Sequence, residues 1–167
     1  MAGTLGHYIA DLSQPMHVSE NYDGEATGQK GLHAFFEDRC VDELYPRISD
    51  EVLNEARKRW PVFKKENANR SVNELVQNLA KGSREKLKGL LDLDKKTGRK
   101  DIKKAASAHK NLIVSRLAEG SLYLAELYRR QLGWKFDNNR FYFFSGEPNF
   151  VAPGEVVNLR ETTDKAL

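Results

Sequence analysis

Histidine and acidic residues near the start of the chain form the pattern that most constrains its fold. The 167 residues contain four histidines, and three of these lie within the first 33. They belong to the pattern His-x3-Asp-x5-His-x15-His-x3-Glu, formed by His7, Asp11, His17, His33 and Glu37. Helical residues four apart share one face, so each His-x3-acid pair can offer two side chains to one ion. The pattern therefore predicts two helices that turn these faces towards each other.

These residue types are typical of a metal site. Imidazole nitrogen and carboxylate oxygen are ligands of zinc in hydrolytic sites that keep a position open for water. One His-x3-Asp pair is usually a surface pair or a satisfied core group, but two pairs with a histidine between them favour a metal site. Cys40 is another possible ligand, although a small buried hydrophobe is the commoner role. His109 lies on an apolar stripe, and we expect a buried ring bonded to a backbone carbonyl rather than a substitute ligand.

Periodicity and capping residues predict a mostly helical chain. A helix over 3–13 should stop before Pro15, and a polar loop should cover 18–29. The next helices are predicted over 30–45 and from Ser49 to about Arg59. A further helix should begin at the capping-box pair Ser71 and Glu74. The longest helix should run from Asp101 to about Leu132 and stop at Gly133. The last helix should bury a stripe that includes Ile102, Ala105, Ala106, Ile113 and Leu117.

The predicted fold class is all-α, but the sequence pattern changes from helical to extended near the end of the chain. Residues 1–133 read as one helical zinc-site domain. Residues 134–167 contain FYFF at 141–144 and VVNL at 156–159, separated by glycines and prolines. These segments favour an extended tail or a small hairpin.

Composition and net charge exclude few functional classes. The net charge of +3 is too small to indicate nucleic-acid binding by itself. Basic residues are nevertheless concentrated between Lys81 and Lys104, a segment that contains ten Lys or Arg and only four Asp or Glu. A solvated helical surface with its connecting loop is the favoured interpretation, and a surface that contacts phosphate or a membrane is the alternative.

The segments LGHYIADLSQPMH at 5–17 and GLHAFFED at 31–38 resemble the zinc-dependent phospholipase C family and its structural relatives, the single-strand-specific zinc nucleases. RLAEGSLYLAELYRRQLG at 116–133 is more weakly similar to the family's last long helix. The resemblance implies an all-helical fold with up to three zinc ions in a cleft. It also implies hydrolysis of a phosphodiester by zinc-bound hydroxide, with a phospholipid head group or single-stranded nucleic acid as substrate.

The resemblance also implies a role for each matching residue. His7 and Asp11 would bind one zinc, with Asp11 bridging to another, and His17, His33 and Glu37 would be the protein ligands of a second zinc. The pair His-x3-Glu and the short loop before it look more like the phospholipases than the nucleases, so phospholipase C-like hydrolysis is the first expectation and nuclease activity the alternative.

Several parts of the family site have no counterpart in this sequence. The family's N-terminal metal ligands and its general base are missing, so we expect a domain truncated at its N-terminus, whose chain alone is inactive and to which no catalytic residue can be assigned. The resemblance implies a secreted or periplasmic location, although no signal peptide begins this sequence. No stable protein partner is predicted, but exposed apolar faces favour self-association. Two other interpretations are a degenerate, non-catalytic helical fragment that keeps one metal and a helical module that binds partners through residues 81–104.

Overall fold

The structure, a computed structural model, describes residues 2–132, and within this range every regular element is helical. The elements are α1 Ala2–Ser13, a 3-10 turn Pro15–Val18, a 3-10 turn Glu25–Thr27, α2 Leu32–Ala34, a π-helical segment Phe35–Arg39, α3 Cys40–Leu44, α4 Ile48–Asn67, α5 Val72–Thr97 and α6 Ile102–Leu132. The all-α prediction is confirmed for this part. The predicted stop at Gly133 and the tail over 134–167 lie outside the described residues. No described helix is both long and apolar enough to cross a bilayer.

Local capping explains where α5 and α6 begin. At the start of α5, the Ser71 hydroxyl accepts a hydrogen bond from the Glu74 amide at 3.2 Å, and the Glu74 carboxylate accepts one from the Ser71 amide at 2.6 Å. This is the predicted capping box. At the start of α6, the Asp101 carboxylate accepts a hydrogen bond from the Lys104 amide at 3.1 Å. Both boundaries follow from residues within one turn of the cap.

Helix α4 differs from its prediction at both ends. It begins at Ile48 with Arg47 as its N-cap, so Ser49 lies inside the helix, and it continues through Pro61 to Asn67. A proline inside a helix costs about 3 kcal/mol because it removes a backbone hydrogen bond. Trp60 and Phe63 flank this proline and are both buried, and burial of each ring contributes about 1.5–3 kcal/mol. The burial of these two rings therefore offsets the cost of the proline.

Helix α6 is the central element, because α1, α3, α4 and α5 all pack against it. Its predicted stripe is confirmed at Ala105, Ala106 and Ile113, which are buried, whereas Leu117 is 38% exposed. Gly120 allows the close approach of α1, since a Cβ atom at this position would lie 2.9 Å from the Ser13 hydroxyl. The helix thus fixes the position of α1, which carries two of the predicted ligands.

The C-terminal end of α1 is held by side chains from α5 and α6. The buried Arg116 guanidinium donates from Nε to the Ser13 carbonyl at 2.8 Å and from Nη2 to the Ser83 hydroxyl at 2.7 Å. The Ser83 hydroxyl in turn donates to the Leu12 carbonyl. A cation and a hydroxyl therefore satisfy carbonyls that a helix leaves unpaired at its last turn. Burial lowers the pKa of Arg116 to about 10, so the side chain remains charged at neutral pH.

Candidate metal centre

The five predicted ligand residues form one continuous cluster. His7 and Asp11 lie on α1, His17 in the following 3-10 turn, His33 on α2 and Glu37 in the π-helical segment. Short helical segments connected by tight turns thus bring three parts of the chain to one place. Uncommon π-helical turns inside helices are frequent at functional sites.

His17, His33 and Glu37 form the centre of this cluster. The two Nε2 atoms of His17 and His33 lie 3.1 Å apart, Glu37 Oε1 lies 3.0 Å from His33 Nε2, and Glu37 Oε2 lies 3.4 Å from His17 Nε2. Atoms bound to one tetrahedral zinc at about 2.0–2.1 Å are separated by about 3.3 Å. With one donor atom from each residue, the three lie within 4.8 Å of one another, so the group could hold one metal ion and leave a position for another ligand.

The ring of His33 is held in an orientation suited to metal binding. Its Nδ1 lies 3.0 Å from the Tyr22 carbonyl oxygen, which can only accept a hydrogen bond. The proton therefore belongs on Nδ1, and the lone pair of Nε2 faces Glu37 and His17. Gly31 precedes this helix with a φ of 80°, a conformation that favours glycine over other residues. Gly31 thus allows the turn that places His33 against the loop carbonyl.

Gln14 is part of the site, although sequence reasoning did not identify it. Its Nε2 donates to Glu37 Oε2 at 3.0 Å, and its Oε1 accepts a hydrogen bond from the Met16 amide, which fixes the orientation of the side-chain amide. Gln14 is buried. Its position between the ligand candidates Asp11 and His17 was the only signal in the sequence. The side chain holds one carboxylate oxygen of Glu37 and leaves Oε1 facing His33.

Asp11 connects the centre of the cluster to His7. Asp11 Oδ1 lies 4.0 Å from His17 Nε2, and Asp11 Oδ2 lies 3.3 Å from His7 Nε2. The two oxygens of Asp11 thus face different histidines, which is the arrangement a bridging carboxylate needs. The His7 side chain is 72% exposed, so this part of the cluster is the more open one.

A cavity of about 210 Å³ opens beside the cluster. Asp11, His17 and Glu37 contribute to its wall, together with apolar side chains of the π-helical segment, α3 and α6, among them Phe36, Val41, Ile113 and Leu117. A ligand in this cavity would touch both the polar cluster and an apolar surface.

The loop between His17 and His33 is anchored to the α5–α6 connection. The Arg99 guanidinium donates to the Gln29 and Lys30 carbonyls at 2.7 and 2.8 Å, and it also binds the Asp94 carboxylate. Gln29 is buried, and its Nε2 donates to Asp94 Oδ2 at 2.7 Å. Burial raises the pKa of Asp94, but the hydrogen bonds from Arg99 and Gln29 outweigh it and lower the pKa overall. The ionised Asp94 therefore helps to fix the end of the loop that leads to His33.

Cys40 and His109 are buried in the hydrophobic core and are not part of the group formed by His17, His33 and Glu37. Cys40 is fully buried, and burial raises its pKa to about 11, so it stays a thiol at neutral pH. The His109 ring is also fully buried and packs edge-on against Phe36 at 5.6 Å between ring centres. The prediction that His109 is hydrogen-bonded to a backbone carbonyl is wrong, because neither ring nitrogen has a hydrogen-bond partner among the described residues.

Comparisons of the chain with family models, curated proteins and solved structures found no match.

Proposed function

We propose that the chain is part of a zinc-dependent hydrolase of phosphodiester bonds, with its first metal position at His17, His33 and Glu37. The observation that carries the proposal is the convergence of these three side chains, whose donor atoms, one from each residue, lie within 4.8 Å of one another. The spacing fits one zinc ion, and the Tyr22 carbonyl supports the ring tautomer that zinc binding requires. Asp11 and His7 would supply part of a second position.

The residues of the chain would bind and orient the metal ions rather than carry protons. Zinc in such a site supplies a water of lowered pKa and positive charge for the phosphate oxygens. Glu37 would be held by Gln14 with one oxygen towards the metal, and Asp11 would connect the two positions through its two oxygens. The apolar side of the adjacent cavity would exclude water from one side of a bound ester.

The substrate has two candidates within this chemistry. The pair of His33 and Glu37 and the GLHAFFED segment resemble the phospholipase C family, so a phospholipid head-group ester is the first candidate. Nuclease activity on single strands is the second, and it is favoured by the basic residues of α5, several of which are exposed. Because the family's other ligands have no counterpart here, the chain alone is expected to bind fewer than three zinc ions and to lack full activity.

The first experiment is zinc analysis of the dialysed chain by elemental analysis, followed by hydrolysis of bis(p-nitrophenyl) phosphate with added zinc. We expect about one tightly held zinc per chain. His33→Ala should lose that zinc, whereas Lys64→Gln on the exposed surface of α4 serves as a control and should retain it. A wild-type chain that holds no zinc above the level of His33→Ala would refute the proposed metal position.

The degenerate, non-catalytic fragment remains the alternative for a chain that binds zinc but does not hydrolyse the diester. In that case zinc would join the 3-10 turn, α2 and the π-helical segment as a structural element only. Hydrolysis by the wild-type chain that is lost in His33→Ala would exclude this alternative, because a purely structural metal does not turn over substrate.

A further inference from the structure

We propose that exposed basic residues of α5 form a binding surface for the phosphate backbone of a single-stranded nucleic acid, next to the candidate metal centre. The surface consists of Lys81, Arg84, Lys88 and Lys95, a set that we call the α5 basic stripe. The proposal rests on the proposed function for its choice of a phosphodiester polymer. Binding to the stripe, however, is measured without any turnover.

The α5 basic stripe lies on one side of its helix. Its residues are separated by three, four and seven positions, and residues at this spacing share a helical face. All four side chains are exposed. Lys88 pairs with Asp92, whereas Lys81 and Lys95 form no ion pair within the described part of the chain. Glu85 and Asp92 lie on the same face, so it carries four positive and two negative charges, and within the described residues only Lys88 of the stripe is held in an ion pair.

The loop that joins two of the predicted ligands runs along the same helix. Arg84 Nη1 donates to the Val18 carbonyl at 3.2 Å, directly after His17. Further along α5, Gln29 Nε2 donates to the Leu91 carbonyl at 3.0 Å, four residues before His33. The loop is thus fixed to α5 at both ends, and the stripe follows the path between the two histidines. A phosphate chain on the stripe would therefore pass beside the candidate metal centre.

A nucleic acid fits this surface better than a membrane does. Peripheral membrane surfaces combine basic residues with exposed apolar side chains that enter the lipid. Between Lys81 and Lys104 the large hydrophobic side chains are buried or half-buried. Tyr22, on the adjacent loop, is 61% exposed, and its ring centre lies 6.1 Å from that of His33. Exposed aromatic rings beside a basic groove are the usual means of holding the bases of a single strand.

The test is the binding of a fluorescent oligothymidylate of about 20 nucleotides to the full chain, measured by anisotropy over a range of salt concentrations. The variant carries Lys81→Gln, Lys88→Gln and Lys95→Gln. Each phosphate contact contributes about 0.7 to the slope of log affinity against log salt for single strands. We therefore expect the slope of the variant to fall by about 2, and its affinity at low salt to fall at least about tenfold.

A matched control removes the same charge from another surface. Arg57→Gln, Lys64→Gln and Lys65→Gln change exposed residues of α4, a helix that packs against α6. The control variant should keep the wild-type slope. Equal losses in both variants would overturn the proposal, because they would show that only net charge matters. Binding to phosphatidylserine-containing vesicles that depends on the stripe, without binding to the oligonucleotide, would also overturn it.

Zinc content separates this inference from the proposed function. The stripe residues are not among the predicted ligands, so the stripe variant should hold zinc at the wild-type level. A wild-type chain that binds the oligonucleotide through the stripe but holds no zinc above the level of His33→Ala would refute the proposed metal position and support the surface. Zinc binding without stripe-dependent binding of the oligonucleotide would support the metal position and refute the surface.

Discussion

Gln14 and Glu37, which are 23 positions apart in the sequence, are joined by a hydrogen bond of 3.0 Å from the amide to the carboxylate. The bond fixes the carboxylate that faces His17 and His33. Partners of this kind orient a metal ligand without touching the metal, and their removal typically costs 10- to 100-fold in metal affinity. Gln14 therefore offers a test of the centre that leaves all five predicted ligands in place.

Gln14→Ala is expected to weaken zinc binding by about 10- to 100-fold, because Glu37 would lose the donor that holds its Oε2. Zinc affinity would be measured by competition with a chelating dye. Gln77→Ala, at an exposed position on α5, is the control and should bind zinc as the wild type does. An unchanged affinity in Gln14→Ala would show that Glu37 does not depend on this hydrogen bond for metal binding.

His33→Ala and His7→Ala should have unequal effects on zinc content. His33 belongs to the group whose donor atoms lie within 4.8 Å of one another, whereas the His7 side chain is 72% exposed at the edge of the cluster. We expect His33→Ala to lower zinc affinity by more than about 100-fold, because removal of a ligand should cost more than removal of a residue that only orients a ligand. His7→Ala should retain the first zinc. The reverse order of effects, measured by elemental analysis after dialysis, would place the primary metal position at the α1 end.

Zinc should raise the melting temperature of the chain. The predicted ligands lie on four helical segments, and a metal that binds only the folded arrangement adds its binding free energy to folding. Zinc at 1,000 times its dissociation constant contributes about 4 kcal/mol, which corresponds to a rise of about 10 °C or more for a chain of this size. Thermal unfolding followed by circular dichroism, with zinc and with EDTA, measures the difference. His33→Ala should show no such rise, and an equal rise in that variant would place the stabilising zinc elsewhere.

His109 should make the stability of the folded chain fall in mild acid. Burial lowers the pKa of His109, partly opposed by the charge of Asp94, so the unfolded chain takes up the proton more readily than the folded chain. The contribution of His109 is therefore fully present above the unfolded pKa of about 6.5, and it is lost as the pH falls from there towards the lower folded pKa. We therefore expect the free energy of unfolding to decrease as the pH is lowered from about 7.5 through 6.5.

The variant His109→Leu isolates this effect from the titration of the other histidines. It removes two ring nitrogens that have no hydrogen-bond partner among the described residues, so its stability at neutral pH should be similar to or above that of the wild type. Urea unfolding in EDTA at several pH values would be compared for the two chains. Parallel pH dependence in both would contradict the assignment to His109.

The sequence predicted those features that depend on neighbouring residues. The capping box of Ser71 and Glu74 is confirmed because all its atoms lie within one turn. The close approach of His33 to Glu37 likewise follows from helical spacing, although zinc binding by this pair stays a prediction. The extent of α4 was predicted wrongly because Pro61 is a local signal for a helix end, whereas the burial of Trp60 and Phe63 depends on the packing of other helices.

Long-range contacts explain what the sequence could not reveal about the candidate site. The hydrogen bond between Gln14 and Glu37 joins two segments whose relative position depends on the whole fold. The buried environment of His109, without a carbonyl partner, is likewise a property of the packing around Phe36 rather than of local spacing. The candidate ligands and their spacing were therefore readable from the sequence, whereas the residues that hold these side chains in place were not.

The link between Arg116 and the Ser13 carbonyl spans 103 positions, and it has a consequence for the order in which the centre can form during synthesis. All five predicted ligands leave the ribosome before α5 and α6 have been made. Until Ser83 and Arg116 arrive, the last carbonyls of α1 lack the partners that hold them in the finished protein. The nascent chain therefore carries the five predicted ligands throughout the synthesis of α5 without the framework that would arrange them. Metal captured at that stage would be bound before the end of α1 is fixed, and the arrangement seen in the structure would form only after Arg116 has been made.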